Sequence, residues 1–252
     1  MGQLKRIRVL DVPVDMVSKE EALGVFKLLM VKEGLDLIVT PNSEIVENAS
    51  REPELKSLIE SAGLIIPDGI GLVYASRILK SPLKERVTGI DFLSDILGYL
   101  QENGKSIYLL GSKPGVSELA AQKMKEKYPD LKIAGTHHGY FGDKKNESAN
   151  QEAEKAVVDY INESGADFLC VAMGSPRQEK FINDHKQEFT NVRAAMGVGG
   201  SLDVWAGTLK RAPEFYQKHG LEWLYRFIQE PSRYKRMIKL PIFMLRVIFS
   251  KK

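Results

Sequence analysis

The 252-residue chain carries 36 Lys and Arg against 33 Asp and Glu, with 43% hydrophobic and 27% charged residues, which excludes disordered and collagen-like architectures. That length suits one large α/β domain, or a core domain with an appendage. The single cysteine, Cys170, lies in the apolar run Phe168-Leu169-Cys170-Val171; it excludes an intrachain disulfide, fits a reducing cytoplasm and reads as buried packing.

The N-terminal stretch 1–12 holds Lys5, Arg6 and Arg8 but no following apolar run, so no export signal is expected. The apolar pattern then predicts a helix over 18–30, opened by Ser18 with Glu21 three residues on as a capping box. A buried strand is expected over 35–40, a helix over 43–62 and a short strand over 63–67. Past Asp68-Gly69, helices are expected over 70–79 and 90–102. The second half alternates more regularly: strand 106–110, helix 116–127, strand 132–136, helix 152–164, strand 167–172, helix 176–187 and strand 192–198. Strands separated by crossover helices imply a Rossmann-like, largely parallel α/β sheet with helices on both faces.

Such sheets bind ligands in the loops after the carboxyl ends of their strands. Those loops hold Thr40-Pro41-Asn42, Asp68-Gly69, Gly111-Ser112, Gly139-Tyr140, 174–178 and 197–200, the polar and glycine-rich stretches of the chain. Asp68 ends an apolar strand, where partial desolvation raises a carboxylate's pKa and suits it to general-base work. The competing reading is an Asx-turn residue or the N-cap of the next helix. Thr40 and Asn42 offer neutral groups suited to sugar hydroxyls, although Thr40 or Ser43 could equally cap a helix. Gly111 opens a strand-to-helix turn able to receive a phosphate on backbone amides.

The run Met196-Gly197-Val198-Gly199-Gly200-Ser201 is no dinucleotide fingerprint, because Leu202 stands where the third glycine is needed. His137 and His138 are adjacent, so in a strand their rings point to opposite faces and build no metal site. No Asp-x-Asp occurs to anchor a metal on a nucleotide-sugar diphosphate. Neither cofactor nor metal is expected. Cationic side chains, Arg86 among them, would then have to stabilise an anionic leaving group.

The last part of the chain differs in charge. Residues 210–252 carry eleven Lys and Arg against three Glu, and eight of the 21 aromatics, which leaves 1–209 at a net charge of −5. A basic, aromatic tail suggests an anionic partner such as lipid headgroups, a diphosphate or nucleic acid. Residues 222–228 form an amphipathic stretch, Pro231 breaks it, and 240–249 are apolar apart from Arg246. No stretch reaches the ~20 apolar residues that cross a bilayer. The tail can lie in the membrane interface, or instead pack on the domain or on another subunit.

Taken in order, these loops resemble a known family. Thr40-Pro41-Asn42, Pro67-Asp68-Gly69, Glu85-Arg86-Val87, Tyr108-Leu109-Leu110-Gly111, 135–141, 174–180, 196–203, Arg211-Ala212-Pro213 and Glu222-Trp223-Leu224-Tyr225-Arg226 match the WecG/TagA/CpsF glycosyltransferases, in particular the TagA-like members of wall teichoic acid synthesis. The resemblance runs from about residue 8 to 236. It implies an inverting, metal-independent enzyme that moves N-acetylmannosamine from a UDP-sugar donor to N-acetylglucosamine on undecaprenyl diphosphate, a polyprenyl-diphosphate-linked acceptor, in a β-1,4 linkage.

It also implies Asp68 as base, with Thr40, Asn42, Arg86, Gly111, Tyr140, Gln178 and Asp203 around the substrates. Arg226, Arg233 and Arg236 would meet a lipid or nucleotide diphosphate. A core over 1–209 and a membrane-associating appendage over 210–252 that completes the site are expected. The enzyme would sit peripherally on the cytoplasmic face of the cell membrane, without nucleic acid, and the tail's apolar faces could pair subunits where no membrane is present. Segment 142–150 reads as a polar surface-loop insertion. Other UDP-sugar donors, or a non-catalytic membrane-associated binding module, are the competing readings.

Overall fold

The computed structural model describes residues 4–142, 147–229, 231 and 238–250. Its chain opens with an antiparallel hairpin, β1 (Arg6–Val9) and β2 (Val12–Asp15), which the sequence reading leaves unassigned. The turn uses Leu10 and Asp11 at φ 49° and 65° rather than the Asn-Gly pair that would advertise it. Ile7 and Val9 face the core with Val12 and Val14, and the buried Asp15 accepts hydrogen bonds from the Ile65 amide (2.7 Å) and Arg6 Nε (2.7 Å).

Helix α1 (Lys19–Leu29) starts with the expected capping box, Ser18 and Glu21 each satisfying the other's backbone. Strand β3 (Asp36–Val39) follows, and then two helices, α2 (Ser43–Ala49) and α3 (Pro53–Glu60), where one was expected over 43–62. Pro53 has no amide to continue the first helix, and its ring pre-sets the start of the second. Beyond β4 (Leu64–Ile65) lie α4 (Ile70–Ile78) and α5 (Gly89–Glu102), then β5 (Ser106–Gly111), α6 (Val116–Lys127) and β6 (Lys132–His137).

Helix α7 (Glu147–Glu163) starts earlier than expected and takes in part of the segment read as a loop; 143–146 lie outside the described residues. Strand β7 (Phe168–Ala172), α8 (Arg177–Asp184) and β8 (Ala194–Gly197) complete the sheet. Among the described residues four further helices follow: α9 (Ser201–Trp205), α10 (Glu214–Lys218), α11 (Glu222–Gln229) and α12 (Lys239–Phe249).

Six strands form one parallel sheet in the order β4-β3-β8-β7-β5-β6. Alternate side chains feed two cores, as the two-residue strand period requires. Leu37, Val39, Ile65, Leu110, Leu169 and Val171 face the layer of the hairpin with α2, α3, α4, α7, α8 and α12. Ile38, Leu64, Leu109, Phe168, Cys170 and Met196 face α1, α5, α6 and α9. This is the α/β architecture expected, with helices on both faces. Cys170 is fully buried, and burial pushes its thiol up to about 12.

Helix α12 packs through Phe243 and Val247, both 0% exposed, against the layer that holds α2 and α4. Arg246 Nη1 donates to Glu47 Oε2 and to Ser50 Oγ, each at 2.8 Å, and Lys239 Nζ to Asn48 Oδ1 at 2.7 Å. The opposite side of the helix presents Ile242, Leu245, Ile248 and Phe249 to solvent. Among the described residues no helix is long and apolar enough to cross a membrane.

Candidate active site

The loops at the carboxyl edge of the sheet are bonded to one another strand by strand. The Asp68 amide donates to Pro41 O (3.2 Å), and Thr40 Oγ1 to Gly197 O (3.3 Å). The Gly199 amide donates to Gln178 Oε1 (3.1 Å), the Ser112 amide to Ala172 O (2.8 Å), and the Gly139 amide to Ser112 O (2.9 Å). One hydrogen-bonded rim thus joins the ends of β4, β3, β8, β7, β5 and β6. Gly111 sits at φ 133° with its Cα against β7, where a Cβ would come within 2.5 Å of Ala172. No other residue lets Ser112 turn out of the strand there. Ser112 Oγ then donates to Asp203 Oδ1 at 2.8 Å.

Asp68 is half-buried at this rim. Its Oδ1 accepts from the Gly89 amide (3.1 Å), the first residue of α5, and its main-chain oxygen accepts from Arg86 Nε (2.7 Å). It keeps some accessible surface, yet is enclosed deeply enough that burial pushes its pKa above the ordinary carboxylate range. The Arg86 charge, the Gly89 amide and the Arg226 charge pull it back, and Glu222 pushes it further up. Its side chain does not cap the next helix as the competing reading expected: Gly69 is the N-cap residue of α4, and Asp68 instead accepts from the start of α5, 21 residues on. Thr88 is the N-cap residue of α5, and Asp68 adds a second acceptor there.

Arg86 Nη2 donates to Glu222 Oε2, an ion pair between a loop of the core and the first turn of α11. One helical turn on, Arg226 projects from the same side of α11, near enough for its charge to act on Asp68. Beside them opens a cleft of about 280 Å³ lined by Arg86, Thr88, Asp91, Arg211, Gln217 and Glu222. Arg211 Nη2 donates to Asp91 Oδ2 at 2.7 Å, and Thr88 Oγ1 donates to the same oxygen at 2.5 Å. Burial opposes ionisation of Asp91, but these two bonds and the Arg211 charge hold its pKa below the usual value. A second recess, near Lys32, Asp36 and Phe189, lies at the opposite, amino end of β3.

The other expected site residues fall along the rim with different roles. Asn42 uses its side-chain oxygen to cap α2, accepting from the Glu44 (2.9 Å) and Ile45 (3.1 Å) amides. Tyr140 stands exposed after β6. Arg177 Nη1 holds the adjoining turn through Gly139 O (2.9 Å), and its guanidinium lies over the Phe141 ring. Gln178 is turned inward and is buried. Arg233 and Arg236 lie outside the described residues. The histidine pair departs from expectation: β6 ends at His137, strand alternation stops there, and the two rings sit 4.6 Å apart. Glu222, Asp91 and Arg211 were not singled out from the sequence for the site, since nothing local marks contacts made across 100 or more residues; Glu179 was not singled out either, although its partner is the adjacent Gln178.

Fold and rim define an α/β protein that presents a desolvated carboxylate and a set of arginines at the carboxyl edge of a parallel sheet. The Glycosyl transferase WecG/TagA/CpsF family model matches residues 7–252. A Bacillus subtilis (strain 168) protein named N-acetylglucosaminyldiphosphoundecaprenol N-acetyl-beta-D-mannosaminyltransferase is 36% identical over 216 residues, covering 86% of this chain and 80% of its own. A Staphylococcus aureus (strain MRSA252) protein of the same name is 34% identical over 249 residues, covering 98% and 94%. This chain belongs to the WecG/TagA/CpsF family of glycosyltransferases.

Proposed function

We propose that the chain transfers N-acetylmannosamine from UDP-N-acetylmannosamine to the 4-hydroxyl of N-acetylglucosamine on undecaprenyl diphosphate, with inversion to a β-1,4 linkage. The names of the relatives support the sugar and the acceptor. The observation that carries the chemistry is the meeting of Asp68, Arg86 and Arg226 at one rim. The acceptor oxygen attacks the anomeric carbon as the bond to the UDP oxygen breaks. Asp68 takes the hydroxyl proton, and UDP leaves with the bonding electrons. In-line attack needs base and leaving group on opposite sides of the sugar. Arg86 and Arg226 supply positive charge for the developing diphosphate, a role that preorganised cations fill without a divalent ion.

Thr40, Asn42, Tyr140 and the Ser112–Asp203 pair are read as substrate contacts along the rim. Gln178 acts from beneath them. Residues 210–252 act as the appendage that both lines the cleft, through Arg211 and Glu222, and meets the cytoplasmic face of the membrane through the outer side of α12. Transfer from UDP-N-acetylmannosamine to lipid-diphosphate N-acetylglucosamine, run with and without EDTA, tests the reading. Product formation that survives EDTA supports it. A strict need for added Mg²⁺ or Mn²⁺, or preference for another UDP-sugar in competition, would replace it.

A further inference from the structure

Glu179 is 1% exposed and Gln178 is 3% exposed, side by side in the first turn of α8. Gln178 Nε2 donates to Glu179 Oε1 at 2.8 Å, and the Gly199 amide donates to Gln178 Oε1 at 3.1 Å. The two ends of the amide are therefore distinguished. Turned over, it would set its NH₂ against the Gly199 N–H, donor against donor. The Gln178 side chain lies flat on Gly197, where a Cβ would come within 2.5 Å of Nε2. Gly197 in turn accepts from Thr40 Oγ1. One acid thus stands behind the turn that carries Gly197 to Gly199 and, through it, behind Thr40.

We infer that Glu179 is a positioning residue of the transfer site, fixing which end of the Gln178 amide meets the turn after β8. This rests on the reading of that rim as the substrate site. Among the described residues, no cation bears on the Glu179 carboxyl; burial pushes its pKa up, against the hydrogen bond from Gln178. One carboxyl oxygen, Oε1, meets the requirement by accepting from Gln178. Its other oxygen, Oε2, has no hydrogen-bond partner among the described residues. The pair is worth keeping only if the geometry it holds matters, because a buried acid is otherwise a cost.

The test is E179M, which keeps the volume and removes the acceptor. The expected result is a loss of about tenfold or more in kcat/KM, with amide exchange at Gly199 faster by a similar factor. E179Q keeps an acceptor oxygen and should restore both to within about threefold. In a Q178A background E179M should cost nothing further, because the two act as one unit. An equal loss in that background, or unchanged Gly199 exchange in folded E179M, overturns the inference. Should E179M not fold, a drop beyond about tenfold in folded E179Q overturns it instead, and retention supports it. The Gly199 exchange reads the brace itself, so failure of the proposed transfer reaction would show separately, as wild-type protein without activity.

Discussion

A base must be ionised before it can accept a proton, and Asp68, the proposed base, ionises against its burial. Burial raises its pKa, Arg86, Gly89 and Arg226 lower it, and Glu222 raises it. Activity should therefore rise with pH through that raised value. Arg226→Gln removes one of the opposing charges, so the acid limb of kcat/KM should move to higher pH; an unmoved limb assigns it to another group. The same balance acts on stability with a defined sign. With the folded pKa above the unfolded one, the folded state holds more protons between the two values, and stability falls as pH rises through that window. Asp68→Asn keeps an acceptor for Gly89 and removes the charge. It should lower transfer by roughly 10²–10⁴-fold while raising stability at pH 7 by about 0.5–2 kcal/mol. Thermal melts should show that gain shrinking as pH falls through the raised pKa, where Asp68 takes up its proton. The place of Asp68 at the rim was legible in the sequence because it follows an apolar strand, while its role as base came from the family resemblance. The Arg86–Glu222 pair was not, because its members stand 136 residues apart.

Among the elements, α12 shows how one short helix serves two surroundings. At 11 residues it is too short to hold its shape alone in water. Phe243 and Val247 fill the core between α2 and α4, and Arg246 is anchored on Glu47 and Ser50. Phe243→Ala should cost about 3–5 kcal/mol of that docking. The expected readout is faster amide exchange and earlier proteolysis over 239–250, with protection in the central strands unchanged; uniform loss of protection would mean that α12 is part of the global folding unit. Elements with long apolar periods were read correctly from sequence, and α6 was placed to the residue. The hairpin was missed because its strands have four residues each and its turn lacks Asn or Gly. The division of 43–62 was missed because the apolar spacing continues across Pro53, while the missing amide of that residue stops the helix.

At the scale of the whole molecule, the rim and the tail share one geometry. Glu222 lines the cleft from α11 and the Arg226 charge acts on Asp68, while α12 is seated on α2 and α4, which begin at the rim loops holding Asn42 and Asp68. The proposed lipid-linked acceptor would therefore meet a site whose neighbouring helix already shows an apolar side. Ile242, Leu245 and Phe249 are spaced three and four residues apart and Ile248 lies beside them, so they share the side away from Phe243 and Val247. Replacing these four by Ser leaves the buried contacts of α12 in place and removes the apolar surface. Burying such side chains fully is worth about 1.5–3 kcal/mol each. Partial insertion into the interface of even half that would change partitioning by roughly a hundredfold. The fourfold Ser variant should therefore lose sedimentation with anionic phospholipid vesicles and most of its turnover of bilayer-embedded acceptor. Turnover of a short-chain, water-soluble acceptor should stay within about twofold, since surface substitutions away from packed contacts leave the fold intact. Equal loss on both acceptors would place these residues in the catalytic fold rather than at the membrane, whereas unchanged sedimentation would leave the basic charges of the tail as the membrane anchor.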